Sequence, residues 1–198
     1  KVSAADVKRV AGKYLATKDR RTVIIGPKKV ANPYTKNLKN GLKCLVNKND
    51  SSPTFSVRVG FAGGLKAEEI GKNGEFNILS RMLLKGTKEK TSSDIAREID
   101  MLAGSLVPYN GRNVFGLSGK FLSKDIKTVI SLIKELLLQS SFTDQELTRV
   151  KREVLSEIRQ RDDDPVSYTF LRFKQVMFAN HPFSLYPTGT EKDVEKLS

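Results

Sequence analysis

The alternation of apolar and polar residues over Thr54–Phe61 is the sequence feature that most constrains the fold. Every second residue of this segment is large and apolar, namely Phe55, Val57, Val59 and Phe61. Successive side chains of a β-strand point to opposite faces, so this pattern predicts a strand with one face against a core. Gly63-Gly64 follows directly and predicts the end of that strand.

Two hairpins are predicted around Asn-Gly pairs. Residues 34–47 are strand-like and turn at Lys39-Asn40-Gly41, and residues 105–121 turn at Asn110-Gly111. Asn-Gly favours tight hairpin turns because both residues tolerate a positive φ. We expect the first hairpin and the strand at residues 54–61 to form one meander.

The remaining segments have the three- and four-residue apolar spacing of amphipathic helices. These segments are residues 74–84, residues 92–102, a long helix after Ser123, another after Thr143, and residues 167–179. Strands therefore come early, followed by helices, a hairpin and more helices. This order predicts an α+β fold in which an antiparallel sheet has helices packed on one face.

Two short motifs could suggest ligand binding, and both have a simpler structural interpretation. Asp162-Asp163-Asp164 lacks the spaced ligands of a calcium loop, and the following Pro165 predicts a break in the helix. Gly60–Gly64 is rich in glycine but lacks the Lys-Ser/Thr ending of a phosphate-binding loop, so we interpret it as a strand exit.

The composition disfavours two classes of function, nucleic-acid binding and membrane spanning. The net charge is +13, but the basic residues are spread along the chain and are not interleaved with aromatic residues. This distribution favours a solvated lysine-rich surface over a nucleic-acid interface. No apolar run approaches the ~18 residues of a membrane span, so none is predicted.

The chain has a single cysteine, Cys44, which excludes an internal disulfide. Cys44 lies in an apolar strand pattern, and we interpret it as a small core residue rather than a reactive thiol.

Several short segments, in a fixed order, carry a family resemblance. They are Leu38-Lys39-Asn40-Gly41-Leu42-Lys43, Leu83-Leu84-Lys85-Gly86-Thr87, Glu98-Ile99 with Gly104-Ser105-Leu106, His181-Pro182-Phe183, and Gly189-Thr190-Glu191. Over about 160 residues this order resembles the pitrilysin/insulinase family of zinc metallopeptidases, which includes the mitochondrial processing peptidases and the core subunits of the respiratory bc1 complex.

The resemblance implies a domain organisation. Members of this family pair two homologous halves around a peptide, and each half has two α+β subdomains. Residues 1–32 resemble the last helix and strand of a preceding unit, followed by a linker. Residues 33–198 resemble the first subdomain of the next unit, truncated at its C-terminal end. Lys1 in place of Met fits a fragment of a longer protein.

The resemblance also places a metal motif that this chain lacks. Active members carry His-x-x-Glu-His on one helix and a second glutamate about 76 residues later. Counting back from Lys85-Gly86-Thr87, the two histidine positions hold Asn77 and Arg81, and the catalytic glutamate position holds Ser80. Glu157, 76 positions after Arg81, remains as a former metal ligand. The resemblance therefore implies no catalytic and no metal-binding residue in this chain.

The one histidine of the chain, His181, supports the same conclusion without an alignment, because a site that needs two histidines cannot form here. We interpret His181 as a structural or surface residue in a turn before Pro182. Two interpretations of the degenerate motif stay open. Asn77, Ser80 and Arg81 could form a polar helix surface that faces solvent or a chamber, or Arg81 could pair with Glu157 so that its guanidinium replaces the charge of zinc.

These observations predict a non-catalytic domain of a pitrilysin-type zinc metalloendopeptidase. The fragment alone is not an enzyme; it would help to form a chamber for a peptide or an unfolded protein. A homologous active half or subunit would hold zinc and cut the substrate. The alternative is a scaffold or core subunit of a larger complex without peptidase activity. A third possibility, generic binding to nucleic acid, is disfavoured by the spread of charge.

Overall fold

A computed structural model describes residues 34–69, 71–179 and 181–197. The chain divides into two compact units, residues 1–50 and residues 51–198. The predicted helix and strand of residues 1–32 lie outside the described residues, and their assignment to a preceding unit stays a prediction.

The described part of the first unit is a β-hairpin. Strands β1 (Tyr34–Asn37) and β2 (Lys43–Val46) pair antiparallel, and Gly41 adopts a φ of 86° in the turn, as the Asn-Gly signal predicts. Cys44 is only half-buried. The interpretation of Cys44 as a core residue is therefore wrong, because β2 exposes Leu45 and Val46 and buries no residue fully.

The second unit contains a separate three-stranded antiparallel sheet in the order β3-β5-β4, so the expected meander through the first hairpin does not form. The strands are β3 (Thr54–Ala62), β4 (Ser105–Asn110) and β5 (Val114–Leu122). β5 is central because it pairs with β3 along nine residues and with β4 along six. Its central position buries most of its residues and gives the sheet one closed core face.

The described part of the second unit has six α-helices; the first five follow the predicted order, and the sixth was not predicted. They are α1 (Glu75–Met82), α2 (Ser92–Met101), α3 (Ile126–Leu138), α4 (Asp144–Asp163), α5 (Pro165–Met177) and α6 (Glu191–Lys196). The predicted break at Asp164-Pro165 is confirmed. Asp164 ends α4 and accepts a hydrogen bond from the backbone N–H of Ser167 at 2.8 Å, which caps the start of α5. Hydrogen bonding from the side chain of Ser167, together with that from its backbone N–H, lowers the pKa of the Asp164 carboxyl.

Two apolar clusters hold the second unit together. The first lies between the sheet and helices α2 and α3, and its fully buried members include Ile95, Leu117, Phe121, Val129, Leu132 and Leu136. The second joins α1, α4 and α6 through Ile78, Met82, Val150, Val154, Ile158 and Val194. The α+β class is confirmed, and α1 and α4 are held side by side by the second cluster.

A charged triad ties the loop before α2 to the helices on the sheet. Lys90 Nζ lies 2.7 Å from Glu98 and 2.8 Å from Glu135, whose other carboxylate oxygen accepts a hydrogen bond from Thr87 at 2.9 Å. The hydrogen bond from Lys90 holds the pKa of Glu135 below its ordinary value. The hydrogen bond that Lys90 donates to Glu135 in turn raises the pKa of Lys90.

Replacing Lys90 with methionine is expected to lower the free energy of unfolding by about 1–2 kcal/mol at neutral pH, because two half-buried carboxylates lose their cation. The depressed pKa of Glu135 contributes stability above its unfolded value of 4.5, and this is lost as the pH falls through the folded pKa. The raised pKa of Lys90 contributes stability below 10.5 that is lost above its folded pKa.

Urea unfolding of the wild type and Lys90→Met between pH 3 and pH 8 measures this difference, with Lys88→Met as the control on an exposed neighbouring lysine. The difference should stay constant near neutrality and shrink in acid. A difference that grows below pH 4 would contradict the assignment.

Candidate functional site

The degenerate motif lies on α1, next to α4. Asn77 and Ser80 are 6% and 1% exposed, so the interpretation of this helix face as a solvent-facing polar surface is wrong. Burial of polar groups is costly unless they are hydrogen-bonded. Ser80 meets this need locally, since its Oγ donates to the backbone carbonyl of Asn77 at 2.8 Å.

Arg81 and Glu157 form the ion pair that the second interpretation predicts. Arg81 Nη1 donates to Glu157 Oε1 at 2.8 Å, and Arg81 Nη2 donates to Oε2 at 2.6 Å. Both carboxylate oxygens are therefore engaged in the parallel geometry that suits a guanidinium. Residues 76 positions apart in the chain meet because α1 and α4 pack through their apolar faces.

Asn77 extends this pair to a third segment of the chain. Its Oδ1 accepts a hydrogen bond from Arg81 Nε at 3.2 Å, and its Nδ2 donates to the backbone carbonyl of Thr188 at 3.3 Å. Arg81 thus uses Nε, Nη1 and Nη2 in three hydrogen bonds, and the amide of Asn77 is paired at both ends. The three side chains form one closed network between α1, α4 and the loop before α6.

The backbone of the loop before α6 packs closely against the backbone at the start of α1. A β-carbon on Gly189, whose φ is 101°, would lie 2.8 Å from the carbonyl oxygen of Asn73 and 3.0 Å from the Cα of Gly74. Arg161 on α4 fixes the loop from the other side, since its Nη1 donates to Thr188 Oγ1 at 2.9 Å and to the carbonyl of Gly189 at 3.2 Å. The Gly-Thr segment of the family resemblance is therefore a packing element.

Sequence reasoning missed Glu68, which lies before α1 and accepts a hydrogen bond from the first turn of that helix. Glu68 Oε2 accepts a hydrogen bond from the buried Asn73 at 2.7 Å, and Oε1 accepts one from the backbone N–H of Phe76 at 3.3 Å. Burial raises the pKa of the Glu68 carboxyl, and the hydrogen bond from Asn73 opposes that effect. The usual signal, a Ser, Thr, Asp or Asn at the N-cap, is absent because Gly74 holds that position.

A cavity of about 510 Å³ opens beside Arg81, and the sequence did not indicate it. Its lining includes Arg81, Lys85, Ser92, Pro108, Arg149 and Glu153. Glu153 is shared by two cations, at 3.3 Å from Lys85 Nζ and 3.4 Å from Arg149 Nε. The cavity wall therefore carries more positive than negative side chains, and an edge strand of the sheet, β4, contributes Pro108.

The residues at the motif positions do not fit a zinc ion. Zinc takes thiolate, imidazole and carboxylate ligands, whereas a guanidinium stays protonated and offers only donors. Both oxygens of Glu157, the former ligand, are already bonded to Arg81. Among the described residues, no three His, Cys, Asp or Glu side chains are grouped closely enough to hold a metal.

His181 lies in a turn, as expected of a structural histidine. It is exposed, precedes a short 3₁₀ helix at Pro182–Ser184, and its Nδ1 accepts a hydrogen bond from the backbone N–H of Phe183 at 3.1 Å. The glycine-rich segment at residues 60–64 ends β3, which confirms the interpretation as a strand exit. No helix of the described residues combines the length and the apolar composition that a membrane span requires.

Comparison with known proteins shows which protein family has this arrangement. The family model described as insulinase, peptidase family M16, matches residues 43–190. The chain therefore belongs to the insulinase family of peptidases, M16. Because its sequence holds one histidine, it is a non-catalytic unit of that family.

Curated relatives are distant and longer than this chain. An uncharacterised zinc protease of Rickettsia bellii is 27% identical over 161 residues, which cover 81% of this chain and 39% of that protein. Bovine mitochondrial cytochrome b-c1 complex subunit 1 is 25% identical, with coverage of 81% and 33%. The chain thus spans between a third and two fifths of the length of these relatives.

Solved structures share the fold. A protease from Helicobacter pylori superposes with a TM-score of 0.80 at 20% identity, over 85% of this chain and 41% of that one. A structure described as the inactive domain of an M16 peptidase from Pseudomonas fluorescens has a TM-score of 0.75 at 21% identity, with coverage of 85% and 41%. At this identity the likeness establishes the fold alone.

Proposed function

We propose that this chain is a non-catalytic unit that forms part of the wall of a peptide-binding chamber. The peptide bonds of the substrate would be cut by an active half elsewhere. The observation that carries the proposal is the bidentate Arg81–Glu157 pair. The family architecture is kept around this position, while the groups needed for a metal are replaced by a closed hydrogen-bond network. Zinc belongs, in this proposal, to the active half.

The free edge of β4 supports peptide binding by strand addition. Within the described residues β4 pairs only with β5. Pro108 has no N–H to give to β5, so regular alternation directs the backbone groups of Leu106, Pro108 and Asn110 away from the sheet. An extended peptide can pair with such an edge through its main chain.

The charge beside this edge favours acidic peptides. The cavity next to Pro108 is lined by Arg81, Lys85 and Arg149, with Glu153 as its carboxylate. A glutamate of a peptide paired to β4 could reach Lys85 or Arg149 and compete with Glu153 for them. A lysine at the same place would meet like charges.

A binding experiment with the 198-residue chain tests this proposal. The probes are fluorescein-labelled peptides of about nine residues that alternate valine with glutamate or with lysine, a length suited to one strand. Anisotropy is expected to show that the glutamate peptide binds about tenfold more tightly, a difference of about 1.4 kcal/mol. The same peptide with N-methyl groups on alternate amides should lose binding, since strand addition needs those donors.

Matched variants separate the cavity from general positive charge. Lys85→Ser/Arg149→Ser is expected to abolish the preference for glutamate, whereas Lys127→Ser/Lys134→Ser, on exposed positions of α3, removes the same charge and should keep it. If neither peptide binds, or if N-methylation has no effect, the chamber role fails. Cleavage of either peptide by this chain with added zinc would also overturn the proposal.

A scaffold role is the second candidate, and it is favoured by the similarity to a subunit of the bovine cytochrome b-c1 complex. In that case the fold serves assembly and no peptide need bind. Purification of the intact protein from its source distinguishes the two. Recovery within a stable complex that has neither peptidase activity nor peptide affinity would select the scaffold role.

A further inference from the structure

The outward face of the three-stranded sheet carries a small cationic cluster. Strands β3, β4 and β5 contain only two charged residues, Arg58 and Lys120, and no acidic one. The odd-numbered residues of β3 and β5, such as Val57 and Leu117, pack into the core. Because side chains alternate along a strand, Arg58 and Lys120 both lie on the opposite, outward face. Both side chains are exposed.

The register of the strands places a serine between the two cations. Arg58 stands directly opposite Ser118 of β5, and Lys120 follows two residues later on the same face of β5. Opposite residues are about 4.5–5.5 Å apart, and residues two apart on one strand are roughly 7 Å apart. The long side chains of Arg58 and Lys120 can therefore reach one group above Ser118. Ser56 and Ser105 stand opposite Lys120 on its two sides and add two hydroxyls.

Arg58 is held in place by an aromatic ring. Its guanidinium carbon lies 4.4 Å from the centre of the Tyr109 ring, and the hydroxyl of Tyr109 donates to the backbone carbonyl of Val59 at 3.2 Å. That hydroxyl reaches β3 because Gly60 has no side chain; a β-carbon there would lie 2.7 Å from it. A stacked guanidinium keeps the N–H groups of its edge free for an oxyanion. Ordering Arg58 in advance also lowers the entropy lost on binding.

The cluster offers donors that no carboxylate satisfies. No ion pair among the described residues involves Arg58 or Lys120, whereas Arg81 and Lys90 are paired with glutamates. A carboxylate has two oxygens, and the guanidinium of Arg58 alone can engage both. A phosphoryl group has three, so it can also accept from Lys120 and from the hydroxyl of Ser118. The donor set therefore suits a phosphoryl group better than a carboxylate.

A cavity of about 210 Å³ adjoins the cluster at the end of the sheet. Its lining includes Lys120, Thr54, Gly104 and Ser105. Pockets for larger organic ligands have volumes from about 300 Å³ upwards, so this cavity suits a group of a few atoms. The hydroxyls of Thr54 and Ser105 favour a polar group there.

We propose that the outward face of the sheet binds a small phosphate monoester, whose phosphoryl group is held by Arg58, Lys120 and Ser118. The site uses side chains on the face of the sheet, so it is separate from the Arg81 network and from the backbone edge of β4. A lipid headgroup would present the same phosphoryl chemistry. A soluble ester fits better, because Val107 is the one apolar neighbour of Ser118 on this face and membrane binding scales with buried apolar area.

A nuclear magnetic resonance titration of the 198-residue chain tests the proposal. Glycerol 3-phosphate, inorganic phosphate and succinate are added separately at pH 7.5 and fixed ionic strength, where the phosphates are mostly dianions. Glycerol 3-phosphate is expected to cause saturable shifts of backbone amides within residues 56–60, 105–109 and 116–120. Inorganic phosphate should affect the same amides, and succinate should bind at least about tenfold more weakly than glycerol 3-phosphate.

Matched variants separate this site from general positive charge. Arg58→Gln/Lys120→Gln should weaken binding of glycerol 3-phosphate more than about tenfold. Lys127→Gln/Lys134→Gln removes the same charge from exposed positions of α3 and should leave the affinity within about twofold. Circular dichroism checks that both variants fold.

Two substitutions of Tyr109 test whether the ring orders Arg58. Tyr109→Phe keeps the ring and should retain most of the affinity. Tyr109→Leu removes the ring without changing the charge and should weaken binding severalfold. Equal affinities of these two variants would overturn the assignment of a preformed site.

Three other results would overturn the proposal. They are shifts spread evenly over the lysine-rich surface, equal affinity for succinate, and binding that survives Arg58→Gln/Lys120→Gln. Recruitment of the chain to phosphatidic acid vesicles through Arg58 and Lys120, without shifts from glycerol 3-phosphate, would also exclude a soluble ligand. That result would assign the face to a lipid headgroup.

Discussion

The double variant Asn77→His/Arg81→His is expected to bind zinc, whereas the wild-type chain is not. The two positions lie one helical turn apart. Arg81 already bonds Glu157 and Asn77 bonds Arg81, so two imidazoles at these positions and the Glu157 carboxylate would form a three-ligand site. The carbonyl of Thr188, which now accepts from Asn77, is placed to accept an imidazole N–H. The affinity gain should be on the order of 100-fold or more, about 3 kcal/mol.

Calorimetry and thermal melts measure this gain. Without metal the double variant should be less stable than the wild type, since it has lost the Arg81–Glu157 pair. Zinc at about 100 times its dissociation constant should restore about 2.7 kcal/mol. Adding Glu157→Gln should remove most of the gain. If zinc does not stabilise the double variant, Asn77 and Arg81 are not the positions of the former histidines, and the alignment of the motif fails.

The second large effect is expected from Gly189→Ala, which should lower the free energy of unfolding by about 3 kcal/mol. The new methyl group would meet the carbonyl oxygen of Asn73 at 2.8 Å, in a backbone conformation with φ at 101°. The contacting atoms of Asn73 and Gly74 belong to the backbone, so they cannot move aside as a flexible side chain would. In a domain of this size the loss should lower the melting temperature by roughly 6–12 °C.

Gly71→Ala is the matched control. Gly71 also has a positive φ, of 85°, but no atom of the other described residues lies within 4 Å of the place that the new methyl group would occupy. This substitution carries only the backbone strain, about 1 kcal/mol. Equal losses of unfolding free energy for Gly189→Ala and Gly71→Ala would show that the loop before α6 does not pack closely against α1. The Asn77–Thr188 hydrogen bond would then have no structural basis.

These two predictions separate the parts of the site. The zinc-binding variant tests whether the network between α1 and α4 stands where a metal once did. The glycine pair tests whether the loop that completes the network is packed as described. Success of the second without the first would leave a well-packed helix pair with no link to the family's metal site.

The pairing of Arg81 with Glu157 could be predicted from the sequence because a family motif carries long-range information. Two ligands of one metal must be close in space, whatever their separation in the chain. The capped break at Asp164-Pro165 was also predictable, since proline restricts its own backbone and that of the residue before it. The first inference rests on a metal shared by distant positions, and the second on the geometry of two adjacent residues.

The cavity beside Arg81 and the cap at Glu68 could not be predicted in the same way. Lys85, Arg149 and Pro108 come from three distant segments, and nothing in the local pattern of any one of them indicates the others. Glu68 reaches the first turn of α1 across an intervening turn, so no fixed spacing from the helix start identifies it.

By itself, the sequence determined the α+β class, the order of helices and strands, and the loss of a zinc site, because periodicity and residue type are local properties. Only the tertiary structure decided that Asn77 and Ser80 are buried, that β1 and β2 form their own sheet, and that α5 turns its phenylalanines outwards. An apolar stripe predicts that a face will be covered, but not by what. That depends on how segments far apart in the chain compete for the same surface, which is settled only when they pack.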